Sequence, residues 1–235
     1  MKELIITDLT RFKNPDIVCI AATDPATGEF FRPQPYIPSE TCKEYDLQPG
    51  TVITGELILQ ATAKQPHVED SSWEELDPIG RCTKKQFQDV LELTLSDSIS
   101  EGFDVEFTEQ YQKHIEQEDA PECSIITIKI PPANFRILED RFNEGKIKAS
   151  FTDNDGTYFS YLSITDRRFY DFAQEHYNDG KLDEVTDFIH EQDELYLRVG
   201  LSRYYEAEDG RAGYWLQVNG IYTFPSYMDE IEAYG

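Results

Sequence analysis

The chain begins as short apolar runs cut by turn residues. Leu4 to Thr7 and Asp16 to Ala22 carry aliphatic and β-branched residues at the density of buried strands, and a third run follows from Glu29 to Arg32. Between the last two lies Asp24-Pro25-Ala26-Thr27-Gly28, the punctuation of a tight antiparallel connection. A hairpin is predicted there. Pro33, Pro35 and Pro38 exclude a helix interior or central strand across that stretch, because each lacks a backbone donor. After "LQPG", the alternation of Thr51 to Gln60 predicts another strand.

From Gly80 the period changes. Phe87, Val90 and Leu91 recur at helical spacing and Thr83 stands where an N-cap belongs. Asp97, Glu101, Asp104, Glu106, Glu109, Glu116, Glu118 and Asp119 then dominate, a pattern that predicts a solvated connector. Strand patterning resumes with "CSIITIKI", Phe135 to Leu138, Lys146 to Phe151 and Thr157 to Ile164. Two amphipathic helices follow, "RFYDFAQEHY" and "KLDEVTDFIHEQD", the second with Leu182, Val185, Phe188 and Ile189 on one face. Glu194 to Leu201 and Ala212 to Tyr222 close the chain, joined at Asp209-Gly210, a hairpin signal.

"ATDPATGEFF" (22–31) and "FTDNDGTYFS" (151–160) share Thr-Asp, a glycine turn and aromatics. The simplest partition is therefore mainly β: a first unit over 1–80, an acidic helical connector over 81–120, and a second unit over 121–235 with inserted helices.

Composition refines this picture. The 235 residues include 14 Phe, 14 Tyr and 2 Trp, enough large apolar surface to fold. A net charge of −25 repels polyanions over the bulk of the surface, yet screening within about 8 Å lets a local basic strip act on its own. Cys19, Cys42, Cys82 and Cys123 contain no CxxC pair, so isolated reduced thiols are expected rather than a zinc site. The opening MKELIITDLT reads as neither signal peptide nor membrane span. A cytoplasmic protein is expected, with no membrane partner and no cofactor.

Candidate chemistry concentrates in "PHVEDSSW", residues 66–73. His67, Glu69 and Asp70 are residue types used in metal binding and general acid/base work, as a metal-dependent hydrolase would need. No HExxH or similar ligand ladder supports that chemistry. Ser71 or Ser72 ahead of "WEEL" matches a helix capping box, and Trp73 is a stacking platform for a base or sugar. The reading adopted is a capped, structured loop beside a binding face. Arg11 and Arg32 each follow a predicted strand and offer fork-shaped donors to phosphate or carboxylate; alternatively, Arg11 pairs with Asp8 or Asp24 and pins the end of a barrel. Lys146, Lys148, Phe151, Tyr158 and Tyr161 interleave charge with aromatic rings, with Arg168 nearby in sequence, the recipe for a single-strand stacking face. His114, His176 and His190 read as solvent-facing helix residues. P-loop, GxGxxG and GxSxG motifs are absent.

The fragments "LIITDLTRF", "IVCIAATD", Arg32-Pro33 and "PHVEDSSW", then "IKASFTDNDGTYFSYLSITD" and "ELYLRVGLS…GYWLQVNGIY", in this order, resemble a bacterial family described as the dual OB-containing domain. The resemblance implies two small Greek-key β-barrels of the oligonucleotide/oligosaccharide-binding (OB) type and no established reaction. The function expected is binding of a single-stranded nucleic acid or nucleotide, with Arg11, Arg32, His67, Trp73, Lys146, Lys148, Tyr158 and Arg168 as ligand residues. A protein-interaction or acidic mimic module is the alternative.

Overall fold

The computed structural model describes residues 2–109 and 111–232. The first elements are β1 (Lys2–Arg11), β2 (Ile17–Thr23), β3 (Phe30–Pro33), a short β4 (Ile37–Pro38), α1 (Ser39–Glu44), β5 (Thr51–Leu59) and β6 (Asp70–Arg81). β1 pairs antiparallel with β2 and β5, β2 with β3, and β5 with β6, while β6 returns parallel to β3. The ring β1-β2-β3-β6-β5 is closed. With α1 between its third and fourth strands, it is an OB barrel. Leu4, Ile6, Leu9, Val18, Ile20, Phe31 and Ile53 fill it.

The chain continues through α2 (Lys84–Leu93), β7 (Leu95–Ser96), α3 (Ile99–Phe103), β8 (His114–Ile115), β9 (Ile125–Ile130), β10 (Phe135–Glu139), β11 (Ile147–Thr152) and β12 (Tyr158–Ile164). Then come α4 (Arg167–Asn178), α5 (Leu182–His190), β13 (Glu194–Leu201), β14 (Tyr205–Glu206) and β15 (Ala212–Phe224). The sheet order is β10-β11-β12-β15-β13-β9, with β12 and β15 parallel. Taking β9 and β10 together as one first strand, broken at Pro131 and Pro132 where two backbone donors are missing, the order repeats that of the first barrel. The mainly β, double-barrel fold read from the sequence is the fold found. "ATDPATGEFF" and "FTDNDGTYFS" prove to be equivalent hairpins, β2 to β3 and β11 to β12. Each opens with an aspartate whose Oδ1 accepts a backbone N–H two residues on, Ala26 N to Asp24 at 2.9 Å and Asp155 N to Asp153 at 3.2 Å.

Three expectations change. "DSSWEEL" starts no helix: it begins the twelve-residue β6. Its capping signature is overridden by pairing along β5 from Leu59↔Ser71 to Thr51↔Arg81, broken by a bulge where Glu75 takes φ 50°. Gly55 makes room for that bulge, since a Cβ there would lie 2.6 Å from the Glu75 carbonyl oxygen. The connector is not a solvated strap either. Its acids face water, but Phe87, Val90, Leu91, Ile99, Phe103 and Ile115 are buried in the larger core, and α2 starts at the Thr83 cap with a full capping box to Gln86. His114 is no helix residue. It lies buried in β8, stacked on Trp215 at 5.0 Å.

The barrels are joined through the outer side of β1, which is buried on both faces. Leu4, Ile6 and Leu9 point into the first barrel, whereas Ile5 belongs to the larger core. The Asp8 side chain and the Thr7 carbonyl face the second barrel, while the Thr7 hydroxyl bonds to Thr23 within the first. The Thr7 carbonyl accepts from Tyr222 Oη at 2.7 Å, and Asp8 accepts from Arg198 Nη2 at 2.8 Å and from its Nε, shared between both carboxylate oxygens, at 3.2 Å. Arg198 is fully buried and also donates to Thr127 at 2.8 Å. Arg11 N donates to the Thr165 carbonyl at 2.8 Å, and Thr10 bridges to Asp166. No described helix is long and apolar enough to cross a membrane.

Candidate functional site

The parallel pairing of β3 with β6 sets Arg32 opposite Asp70. Arg32 Nε donates to Asp70 Oδ1 at 2.7 Å, its Nη1 donates to Ser124 Oγ at 3.1 Å, and its Nη2 lies 3.2 Å from Glu69 Oε1. Ser124, from the second barrel, also donates to Glu69. Arg203, in the loop after β13, clamps the same Asp70 at 2.8 and 3.0 Å and donates to Tyr36 Oη at 3.2 Å. Burial pushes the Asp70 carboxyl up, but the Arg203 hydrogen bonds and the Arg32 charge outweigh it and hold the group below its ordinary range. His67 places Nε2 3.2 Å from the Ser202 carbonyl. A carbonyl only accepts, so Nε2 carries the proton and Nδ1 is an acceptor. Burial, then Arg32 and Arg203, lower the His67 pKa to about 3, so the imidazole is neutral at physiological pH. Arg32, His67 and Arg203 border a cleft of about 400 Å3 between the barrels, walled by Phe12, Tyr36, Tyr204 and Tyr205.

A second cavity of about 410 Å3 opens on the outer face of β11 and β12 under the loop that leads through β14 to β15. The outer face of strands two and three, with the loop between strands four and five, is the ligand side of an OB barrel. Lys113, Lys148, Arg211, Tyr161 and Trp215 line it. Tyr161 adopts φ 55° at a bulge in β12 opposite Ser150, whose Oγ accepts its N–H at 2.9 Å. A bulky residue held in the left-handed region inside a strand marks a position where surrounding structure dictates the backbone. Lys148 donates to Ser163 at 3.0 Å and lies 3.8 Å from Asp140. The Lys113 carbonyl accepts from Leu216 N at 2.9 Å, and its ammonium makes no hydrogen bond or ion pair among the described residues. Its pKa is lowered by burial and by the like charges of Lys148 and Arg211, against the opposing pull of Asp140 and Asp209; those two carboxylates pair with Lys148 and Arg211, which leaves the Lys113 ammonium as the third cation of the cavity. Both cavities share Ser202, Tyr205 and Gln217, and together they form one groove.

A family model described as the dual OB-containing domain matches residues 9–221. The chain belongs to the dual OB-containing domain family. No curated protein and no solved structure matches it.

In this dual OB protein the residues singled out from sequence fall into two groups. Arg11, Arg32 and His67 meet at the inter-barrel cleft and Lys148 lines the adjoining cavity. Trp73, Lys146, Tyr158 and Arg168 border neither. Trp73 donates to the Pro35 carbonyl at 3.2 Å and packs against the smaller core; Lys146 and Tyr158 are exposed; Arg168 donates to the Glu232 and Glu230 carbonyls at 3.0 and 3.4 Å. Arg11 pairs with neither Asp8 nor Asp24: its guanidinium stacks 3.5 Å over the Tyr170 ring, while Asp8 holds Arg198 and Asp24 holds Lys2. Glu69 and Asp70 are occupied by Arg32, Ser124 and Arg203. His67 turns its proton to a carbonyl, and the described residues contain no cluster of three metal-ligating side chains. The geometry gives the hydrolase reading no assembled site. Lys113, Arg203, Arg211 and Trp215 escaped the sequence reading. "SRYY" and "RAGYW" carry the signal of charge beside aromatics, whereas Lys113 sits in an acidic stretch that hides it.

Proposed function

We propose that the protein binds single-stranded nucleic acid, or a nucleotide, along the groove formed by the second barrel's ligand face and the inter-barrel cleft. The observation that carries this reading is the convergence of Lys113, Lys148, Arg211 and Arg11 with Tyr161, Trp215 and Tyr205 in one groove on a chain of net charge −25. Cations track phosphates and aromatic rings stack bases. The first barrel contributes Cys19, Ala21 and Arg32 of its second and third strands to the cleft, and the second barrel contributes the basic cavity over β11 and β12. All four cysteines are free thiols, the state kept in a reducing cytoplasm.

The test is fluorescence anisotropy of labelled single strands across salt concentrations. Neutralising about three phosphates gives a log–log salt slope of about −2, and Lys113→Ala or Lys148→Ala lowers its magnitude by about 0.7. Absence of binding at low salt, or groove variants that bind like the parent, refutes the proposal. A partner that co-purifies after nuclease treatment, in place of strand binding, supports instead a protein-interaction role for the acidic exterior.

A further inference from the structure

We propose that the inter-barrel cleft is a pocket for one nucleobase and gives the groove a base preference; this rests on the strand-binding reading above. The cleft volume of about 400 Å3 falls within that of small-molecule sites, about 300–1,000 Å3. Its aromatic walls suit a base drawn out of a strand, Phe12 and Tyr36 packing on each other at 4.6 Å between ring centroids as one of them.

The decisive feature is a set of polar atoms with open valence. His67 Nδ1 is a buried acceptor with no partner. Arg32 Nη2 lies in ion-pair range of Glu69 but makes no hydrogen bond. Asn219 accepts from Thr165 Oγ1 at 2.8 Å through Oδ1, and its Nδ2 donates to no described residue. Of these, His67 Nδ1 and Arg32 Nη2 are buried atoms without a hydrogen-bond partner; buried polar groups are as a rule satisfied, and each one left unpaired costs about 1–3 kcal/mol. An acceptor and two donors along one aromatic-walled cleft match the edge of a base, which presents donors and acceptors side by side. The charge balance agrees. The guanidiniums of Arg11, Arg32, Arg198 and Arg203 stand against the carboxylates of Asp8, Glu69 and Asp70, which leaves Arg11, unpaired, for the adjoining phosphate.

The full chain is titrated at low salt with homopolymeric single strands of each of the four bases, equal in length, and separately with the four nucleoside monophosphates. One homopolymer is expected to bind at least about tenfold tighter than the weakest. Asn219→Ala and Tyr204→Ala narrow that spread to within about threefold, as expected when a hydrogen bond or a stacking wall is lost. Tyr204 is 49% exposed, so its variant tests the pocket even where the Asn219 variant fails to fold. Lys113→Ala weakens all four strands by one common factor. Monophosphates that follow the same order support a pocket open to free nucleotides, and monophosphates that do not bind support one filled only by a base within a strand. Equal affinity for all four homopolymers, or a spread untouched by Tyr204→Ala, overturns the base pocket and leaves strand binding standing. Failure of every strand to bind overturns both.

Discussion

Substituting Asp8 by valine tests how the two barrels are held together. In the native chain three contacts of 2.8 to 3.2 Å join Asp8 to Arg198, and both side chains are at most 1% exposed. The variant leaves a guanidinium in the interior with Thr127 as its remaining hydrogen-bond partner. Breaking one side of a buried pair costs about 3–5 kcal/mol, most of it the price of the stranded charge. For a chain of this length each kcal/mol lowers the melting temperature by about 2–4 °C, so a fall of roughly 10 °C is expected. The companion variant Asp8→Val/Arg198→Met removes both charges and is expected to recover at least about 2 kcal/mol of the loss, since apolar replacement of a whole buried pair is often neutral. Urea denaturation followed by tryptophan fluorescence reads both halves, because Trp73 lies in the first barrel and Trp215 in the second. Coincident transitions are expected in the parent. A loss below about 1 kcal/mol in the single variant, or a double variant no more stable than the single, would show that the pair does not hold the barrels together.

Two further outcomes follow from the same interface and its surroundings. Burial raises the Asp166 pKa from 3.8 to about 7, so its contribution to stability is full below about pH 4 and is lost as pH rises to about 7. Relative to Asp166→Asn, the native chain should lose about 1.4 kcal/mol per pH unit over that window; parallel stability curves for the two proteins would contradict the assignment. Gly213 has φ 151°, and a Cβ there would come within 2.2 Å of the Ile115 carbonyl oxygen. Gly213→Ala is therefore expected to destabilise by about 1–3 kcal/mol, and a melting temperature equal to the parent's would rule out the clash.

How much of this was legible follows from which forces act locally. The hairpin at Asp24 to Gly28, the strand from Thr51 and the helix capped by Thr83 were readable because turn chemistry, alternation and capping are properties of neighbours in sequence. "DSSWEEL" misled for the same reason: its capping signature is local, and the pairing with β5 and β3 that overrides it is not. The acidic connector misled because its charges outnumber its buried residues, although Phe87, Val90, Leu91 and Phe103 are what tie it to the core. Arg198 offered a signal that went unread. A lone arginine in the apolar run "ELYLRVGL" is either exposed or paired in the interior, and its partner lies 190 residues away in "TDLT". The groove was half legible. Lys148 and Tyr161 show themselves in sequence by interleaving charge with rings, whereas the cleft exists only because two barrels meet.

That meeting explains an asymmetry between two barrels of one topology. In the first, the outer side of β1 meets the second barrel through the Ile5 and Asp8 side chains, the Thr7 carbonyl and the Thr10 backbone, while the Thr7 and Thr10 hydroxyls bond within their own barrel. The corresponding first strand of the second barrel is broken at Pro131-Pro132, and the face over β11 and β12 lines a cavity with Lys148 and Tyr161 on it. Duplication of one small fold thus gives one copy whose first strand docks and one whose second and third strands line the basic cavity. Arg32 and Arg203 come from the two copies and grip one carboxylate, Asp70, which lies where the docked surface ends and the open groove begins. A ligand lying along the groove would contact both barrels there, so tightening of the barrel interface and occupation of the groove are expected to be thermodynamically linked, each favouring the other by the same factor.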